Sequence, residues 1–211
     1  MMTEDFKKLL ELAESGNPIA QSAIGWCYSH GADVKQDHAK AAEWYLRAAT
    51  NGERSAQFNI ATAYELGRGV PQNPSAAVHW FELAAANGQT EASYMLALRY
   101  LDGLDVERDN DRAVRLLSAA AQSGHRNAQY ALGSIYGSGR LGQPDFAKSR
   151  RFLELAAEQG DSDAEYALGC IYDEGQGVEA DRNTALTWFR RAAEHGNDDA
   201  KIALSDLGGS L

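Results

Sequence analysis

The chain has 211 residues, of which 30 are acidic and 20 basic, giving a formal net charge of −10, and 44% are hydrophobic. That excess of acid repels nucleic acid and anionic membrane at long range, so neither is expected as a partner, whereas a protein with a neutral or basic surface, or a peptide segment, fits. No apolar run approaches the roughly 20 residues that span a bilayer, so no membrane insertion is expected.

The first residues, Met1-Met2-Thr3-Glu4-Asp5-Phe6-Lys7-Lys8, place acids where a secretory signal has a basic stretch followed by an apolar one. A cytoplasmic location is the expectation, or a periplasmic one if an export signal was removed ahead of residue 1. Residues 3–16 predict one helix, with Leu9, Leu12 and Ala13 on its apolar face, that corresponds to the second half of a repeat.

From there a Gly-x-x-x-Ala pattern recurs at Gly16/Ala20, Gly52/Ala56, Gly88/Ala92, Gly124/Ala128, Gly160/Ala164 and Gly196/Ala200, each step being 36 residues. A fixed period of this length predicts stacked helical hairpins. Full repeats are expected over 20–52, 56–88, 92–124, 128–160 and 164–196, followed by a half-repeat over 200–207 that ends at Gly208-Gly209-Ser210. The predicted fold is all-α, a right-handed α-solenoid forming one domain of about twelve helices, with half-repeats capping five full ones.

Within each repeat the first helix reads Ala-x-x-x-(Leu/Ile)-(Gly/Ala)-x-x-Tyr-x-x-Gly, as in Ala128, Leu132, Gly133, Tyr136 and Gly139. The small residue at Gly25, Ala61, Ala97, Gly133 and Gly169 is expected to admit a neighbouring helix, because glycine there otherwise costs helix stability. Tyr28, Tyr64, Tyr100, Tyr136 and Tyr172 are expected as wedges between helices, with hydroxyls able to satisfy backbone groups. Gly31, Gly67, Gly103, Gly139 and Gly175 should end this helix in a left-handed turn. Val34, Val70, Val106 and Val178 plug the loop, and Asp37, Asn73, Asp109, Asp145 and Asp181 cap the second helix. That helix then carries Ala41, Ala77, Ala113 and Ala185 and an apolar pair such as Trp44-Tyr45 or Trp188-Phe189. Repeat four departs from the frame, with Gly139-Arg140-Leu141-Gly142-Gln143-Pro144 at its turn and Ser149-Arg150 in its second helix. A re-formed turn is expected there, or a basic spot at Arg140 and Arg150.

The pattern Ala-x-x-x-Leu-Gly-x-x-Tyr-x-x-Gly-x-Gly-Val, followed by Asp, Ala, Trp-Phe/Tyr, Ala-Ala and Gly, resembles the Sel1-like repeat, a relative of tetratricopeptide repeats, and the match is best from Ala164 to Gly196. The resemblance implies an adaptor of signalling, envelope or quality-control assemblies, and alternatively a bacterial immunity protein that neutralises a secreted toxin or effector. A cysteine-rich branch of the family carries one disulfide per hairpin and is linked to β-lactam binding or hydrolysis. Here the cysteines are Cys27 and Cys170 alone, in different repeats and too far apart to pair, which suits a reducing compartment and departs from that branch.

No enzyme chemistry, metal or cofactor is expected. His30, His38, His79, His125 and His195 are scattered, without metal-ligand spacing. Gly67-Arg68-Gly69-Val70 lacks the Lys-Ser/Thr of a phosphate loop and recurs in the frame as a hairpin turn, and no nucleophile elbow or Ser-x-x-Lys motif appears.

Positions shared by all repeats serve the scaffold, so a partner site is sought where exposed columns of the first helices vary. Trp26, Leu66, Met95 and Leu98 place large apolar groups there, accompanied by His30, Asn59, Thr62 and Asp102. Trp26 could instead pack on the next repeat. Arg99 breaks a column that is otherwise Cys27, Ala63, Ile135 and Ile171, and either reaches an acidic partner group or pairs internally with Asp102 or Glu65. These nine residues of the first three repeats are the predicted partner-binding groove of a non-catalytic interaction scaffold that is a monomer or a weak homo-oligomer.

Overall fold

The computed structural model describes residues 3–208, which form twelve α-helices and no strand; Gly209 and Ser210, expected to end the chain, lie outside them. The helices are α1 (Glu4–Glu14), α2 (Pro18–His30), α3 (His38–Thr50), α4 (Arg54–Leu66), α5 (Pro74–Ala86), α6 (Thr90–Asp102), α7 (Asn110–Gln122), α8 (Arg126–Ser138), α9 (Phe146–Glu158), α10 (Ser162–Glu174), α11 (Arg182–Glu194) and α12 (Asp198–Asp206). They divide into two compact units, Met1–Leu116 and Leu117–Leu211.

In the first unit α1 to α5 each begin on a side-chain acceptor, whereas α6 begins at Gln89 without one. Thr3, Asn17, Asp37 and Asn73 take the N–H of the residue three positions on, satisfying donors that the helix itself leaves open. First helices stop at Gly31, Gly67 and Gly103, whose φ values of 73°, 64° and 69° are left-handed. The loop is then closed through the backbone, with the Asp37 N–H donating to the Tyr28 carbonyl at 2.9 Å and Asn73 and Asp109 doing the same to Tyr64 and Tyr100. The tyrosines are wedges as expected, but the Tyr100 hydroxyl donates to the Glu82 carboxylate at 2.9 Å, a side chain rather than a backbone group. In α1 the buried residues are Phe6 and Ala13, whereas Leu12 is 50% exposed. Phe6, Leu9, Leu10 and Ala13 are the set spaced i, i+3, i+4, i+7, and Leu12 falls beside that stripe.

The hairpins close on the small-residue column. A methyl group built on Gly25 would lie 2.7 Å from the Tyr45 ring. In the second unit one on Gly133 would lie 2.6 Å from Leu153, and Gly169 faces Phe189 in the same manner. The second member of each apolar pair is therefore the buried one: Tyr45, Phe81, Leu117, Leu153 and Phe189 are all at most 5% exposed.

In repeat four the turn is re-formed by a hydrogen bond from the Gly142 N–H to the Gly139 carbonyl at 2.9 Å. Ser149 is buried, and its hydroxyl donates to the Gly133 carbonyl at 2.8 Å, so replacing alanine leaves no polar atom unsatisfied. Arg150 is paired with Glu154 at 3.5 Å.

Both units share a buried polar column that follows the invariant alanine of the first helix: Gln21, Gln57, Ser93, Gln129 and Glu165 are each at most 6% exposed. The amides of Gln21, Gln57 and Gln129 donate to the Ala13, Ala49 and Ala121 carbonyls at the end of the preceding helix. They accept in turn from Asn51, Asn87 and Gln159, each 30 residues onward. In repeat five a carboxylate takes the place of the amide and cannot donate. Arg191 supplies the missing donor to the Ala157 carbonyl and pairs with Glu165 at 2.6 Å, while His195 lies 2.8 Å from the same carboxylate.

Candidate functional site

The first unit contains a cleft of about 320 Å³ built from three consecutive helices and a turn. The end of α2 supplies Trp26, Ser29 and His30; α3 supplies His38, Ala41, Ala42 and Tyr45; α4 supplies Asn59, Thr62 and Ala63; and the turn after α4 supplies Arg68. Ala41 holds a position that is alanine in three other repeats as well, at Ala77, Ala113 and Ala185, whereas Ala42 and Ala63 stand where other repeats carry larger side chains such as Val78 and Ile135, and the three together leave an apolar floor. Trp26 is 50% exposed, and its indole is stacked on the His30 imidazole with ring centroids 4.6 Å apart. Burial pushes the Tyr45 phenol up to about 12, against a hydrogen bond with Ser29 that acts the other way, so it is a neutral donor at physiological pH. The permanent charge on the lining is the Arg68 guanidinium, and no carboxylate lines the cleft. Such a surface offers a wide ring to stack on, an apolar floor, and amide and guanidinium donors.

Four of the nine residues predicted from sequence, Trp26, His30, Asn59 and Thr62, thus come together in one cleft. Leu66 is 51% exposed and Asp102 is exposed, while Met95 and Leu98 are half-buried, and none of these lines it. Arg99 is 5% exposed and takes the internal alternative: it pairs with Glu65, donates to the Met95 carbonyl at 3.1 Å and lies 4.8 Å from the Phe81 ring centroid. The column that it breaks is a packing column, and the cation is accommodated there by an acid from the neighbouring first helix. Sequence reasoning missed His38, Tyr45 and Arg68. Gly67-Arg68-Gly69 is a hairpin turn, as its glycines imply, but the arginine between them turns its side chain to the cleft; a lone large cation in a turn of small residues was the available signal.

Among the described residues no grouping of three His, Cys, Asp or Glu side chains could hold a metal ion, and no helix is long and apolar enough to cross a membrane. Cys27 and Cys170 are both free thiols.

Comparison with known proteins agrees with this architecture. No curated protein matches the chain in sequence. Among solved structures, a protective antigen of uropathogenic Escherichia coli displaying an SLR fold superposes with a TM-score of 0.90 at 32% identity over 97% of this chain; the chain spans 45% of that protein. A Sel1 repeat protein from Oxalobacter formigenes gives 0.80 at 28% identity, covering 96% of this chain and 89% of that one. A Sel1 repeat protein from Klebsiella pneumoniae subsp. pneumoniae gives 0.54 at 23% identity over 96% and 99% of the two chains, a likeness of fold alone. The fold class is accordingly the all-α helical-repeat solenoid expected from the 36-residue period. The Sel1 repeat model matches residues 18–53, 54–89, 90–125, 126–161 and 162–197, and the chain belongs to the Sel1 repeat family.

Proposed function

We propose that the protein is a non-catalytic protein-binding module that holds a partner segment in the cleft of its first unit. An apolar or aromatic side chain of the partner stacks on Trp26, and an acceptor beside it reaches Arg68 and Asn59. The observation that carries this reading is the half-exposed Trp26, held by its stacking on His30 over an alanine floor. A tryptophan left half in water at the rim of a preformed concavity is the kind of anchor that dominates binding energy at protein interfaces. Sel1 repeats commonly mediate protein–protein interaction, which supports the class of function.

The test is affinity capture from lysate of the source organism, analysed by mass spectrometry, with wild type beside a Trp26→Ala/Arg68→Ala variant of unchanged circular dichroism. A protein retained by wild type and lost with the variant supports the reading, and its identity separates an adaptor from an immunity protein that blocks a toxin. A protein retained equally by both would contradict the assignment of the cleft.

A further inference from the structure

The second unit carries a separate groove of about 510 Å³, formed by side chains of α8, α9, α10 and α12 and the turns beside them. Tyr130 and Tyr166 hold the same repeat position, 36 residues apart, and both line it, with Ser134 and Cys170 keeping it open. The charged side chains on the lining are Asp163 and Asp199, and no lysine or arginine is among them. Asp163 is oriented by Asn197, whose Nδ2 donates to it at 2.8 Å, and Lys201 of the same last helix is paired with Asp198, leaving Asp199 to the groove. The electrostatics of the two rings report the same surroundings. A hydrogen bond with the Cys170 thiol, with Asp199 and Glu174 close by, pushes the Tyr166 phenol up to about 12, and burial together with Asp163 and Asp161 raises that of Tyr130. Both phenols are therefore neutral at physiological pH, and the charge of the groove is that of its carboxylates.

Two aromatic rings bordered by carboxylates attract a cation on an apolar stem, since the ring faces draw positive charge and the carboxylates complete charge-assisted hydrogen bonds. A free small cation would satisfy the acids and leave most of the groove unfilled, which favours a side chain borne on a longer segment. We propose that this groove binds a basic segment of a partner protein, a lysine or arginine side chain lying along Tyr130 and Tyr166 with its charge between Asp163 and Asp199. The proposal is independent of the first-unit cleft, whose lining has a guanidinium and no carboxylate.

The test begins with selection of a random short-peptide display library on the whole chain. Dye-labelled selected peptides are then measured by fluorescence anisotropy against wild type, Asp163→Asn/Asp199→Asn, Asp199→Arg and Trp26→Ala. In the double variant Asn197 can still donate to the residue at 163, and Asp199→Arg alters one exposed position, so at least one variant keeps the fold. The selected pool should be rich in lysine and arginine, and affinity should fall about tenfold or more in the groove variants and fall with added salt, while Trp26→Ala leaves it unchanged. An empty pool, a pool without basic enrichment, or basic peptides indifferent to the groove variants would overturn the proposal. Peptides lost only with Trp26→Ala would overturn it too while leaving the first-unit reading intact, and a homodimer dispersed by the groove variants would put a second copy of the chain in place of the basic partner.

Discussion

The imidazole of His30 lies over the indole of Trp26 with ring planes 24° apart, and its Nδ1 is 3.0 Å from the Trp26 carbonyl. A carbonyl only accepts, so Nδ1 carries the proton and the tautomer is fixed by the helix that presents both rings. The pair is a preformed wall, and the tryptophan has little freedom to lose on binding. Trp26→Ala should weaken partner binding by about 2 kcal/mol, roughly 30-fold, as truncation of an aromatic anchor does. Because the ring is half exposed, unfolding free energy should change by less than about 1 kcal/mol. Binding isotherms and urea unfolding of the same variant check both halves.

Arg99 and Glu65 are not equivalent partners, since their side chains are 6% and 30% exposed. Removing the acid strands a buried cation, whereas removing the cation frees a carboxylate that water can reach. Glu65→Ala should therefore cost about 2–3 kcal/mol of stability. Arg99→Ile, which restores the apolar type seen at Ile135 and Ile171, should cost less than about 1 kcal/mol or stabilise. Chemical denaturation of the two variants decides the order, and an Arg99→Ile loss larger than that of Glu65→Ala would contradict it.

Two glycines are required for different reasons. Gly25→Ala gains helix propensity but meets the movable ring of Tyr45, for a net loss of about 1 kcal/mol. Gly69 has φ of 77° and faces the His38 backbone carbonyl, which cannot rotate away, so Gly69→Ala should cost more than about 2 kcal/mol. Thermal unfolding of both variants should show the larger drop in Tm for Gly69→Ala.

Tyr45 makes stability depend on alkaline pH. Its folded pKa of about 12 stands above the ordinary 10, so the neutral phenol's contribution is complete below pH 10 and is lost as pH rises toward 12. The full loss is about 2–3 kcal/mol at 1.36 kcal/mol per unit. Tyr45→Phe, a residue already present at the equivalent Phe81 and Phe189, should lose less stability than wild type between pH 9 and about 11.5. Parallel slopes for the two proteins would place the alkaline loss elsewhere.

The helices and their ends were legible because the period never slips, so a residue such as Gly133 or Asp37 could be read against its equivalents in the other repeats. Buried polar residues were harder to read. Gln57 looks like a surface residue, and only the fold brings it between the Ala49 carbonyl and Asn87. The choice made by Arg99 could not be read either, because Glu65 and Asp102 were comparable candidates until α4 and α6 were placed side by side. The cleft was half legible for the same reason: Trp26 and Thr62 sit in columns of the first helices, while Arg68 enters from a turn whose glycines dominate its sequence signature.

The most direct test of the binding site is photo-crosslinking from benzoylphenylalanine placed at position 62, in the cleft, and at position 43, exposed on α3. A discrete partner adduct from position 62, absent from position 43 and abolished by Trp26→Ala, is the predicted result; an adduct from position 43 with none from position 62 would contradict the account.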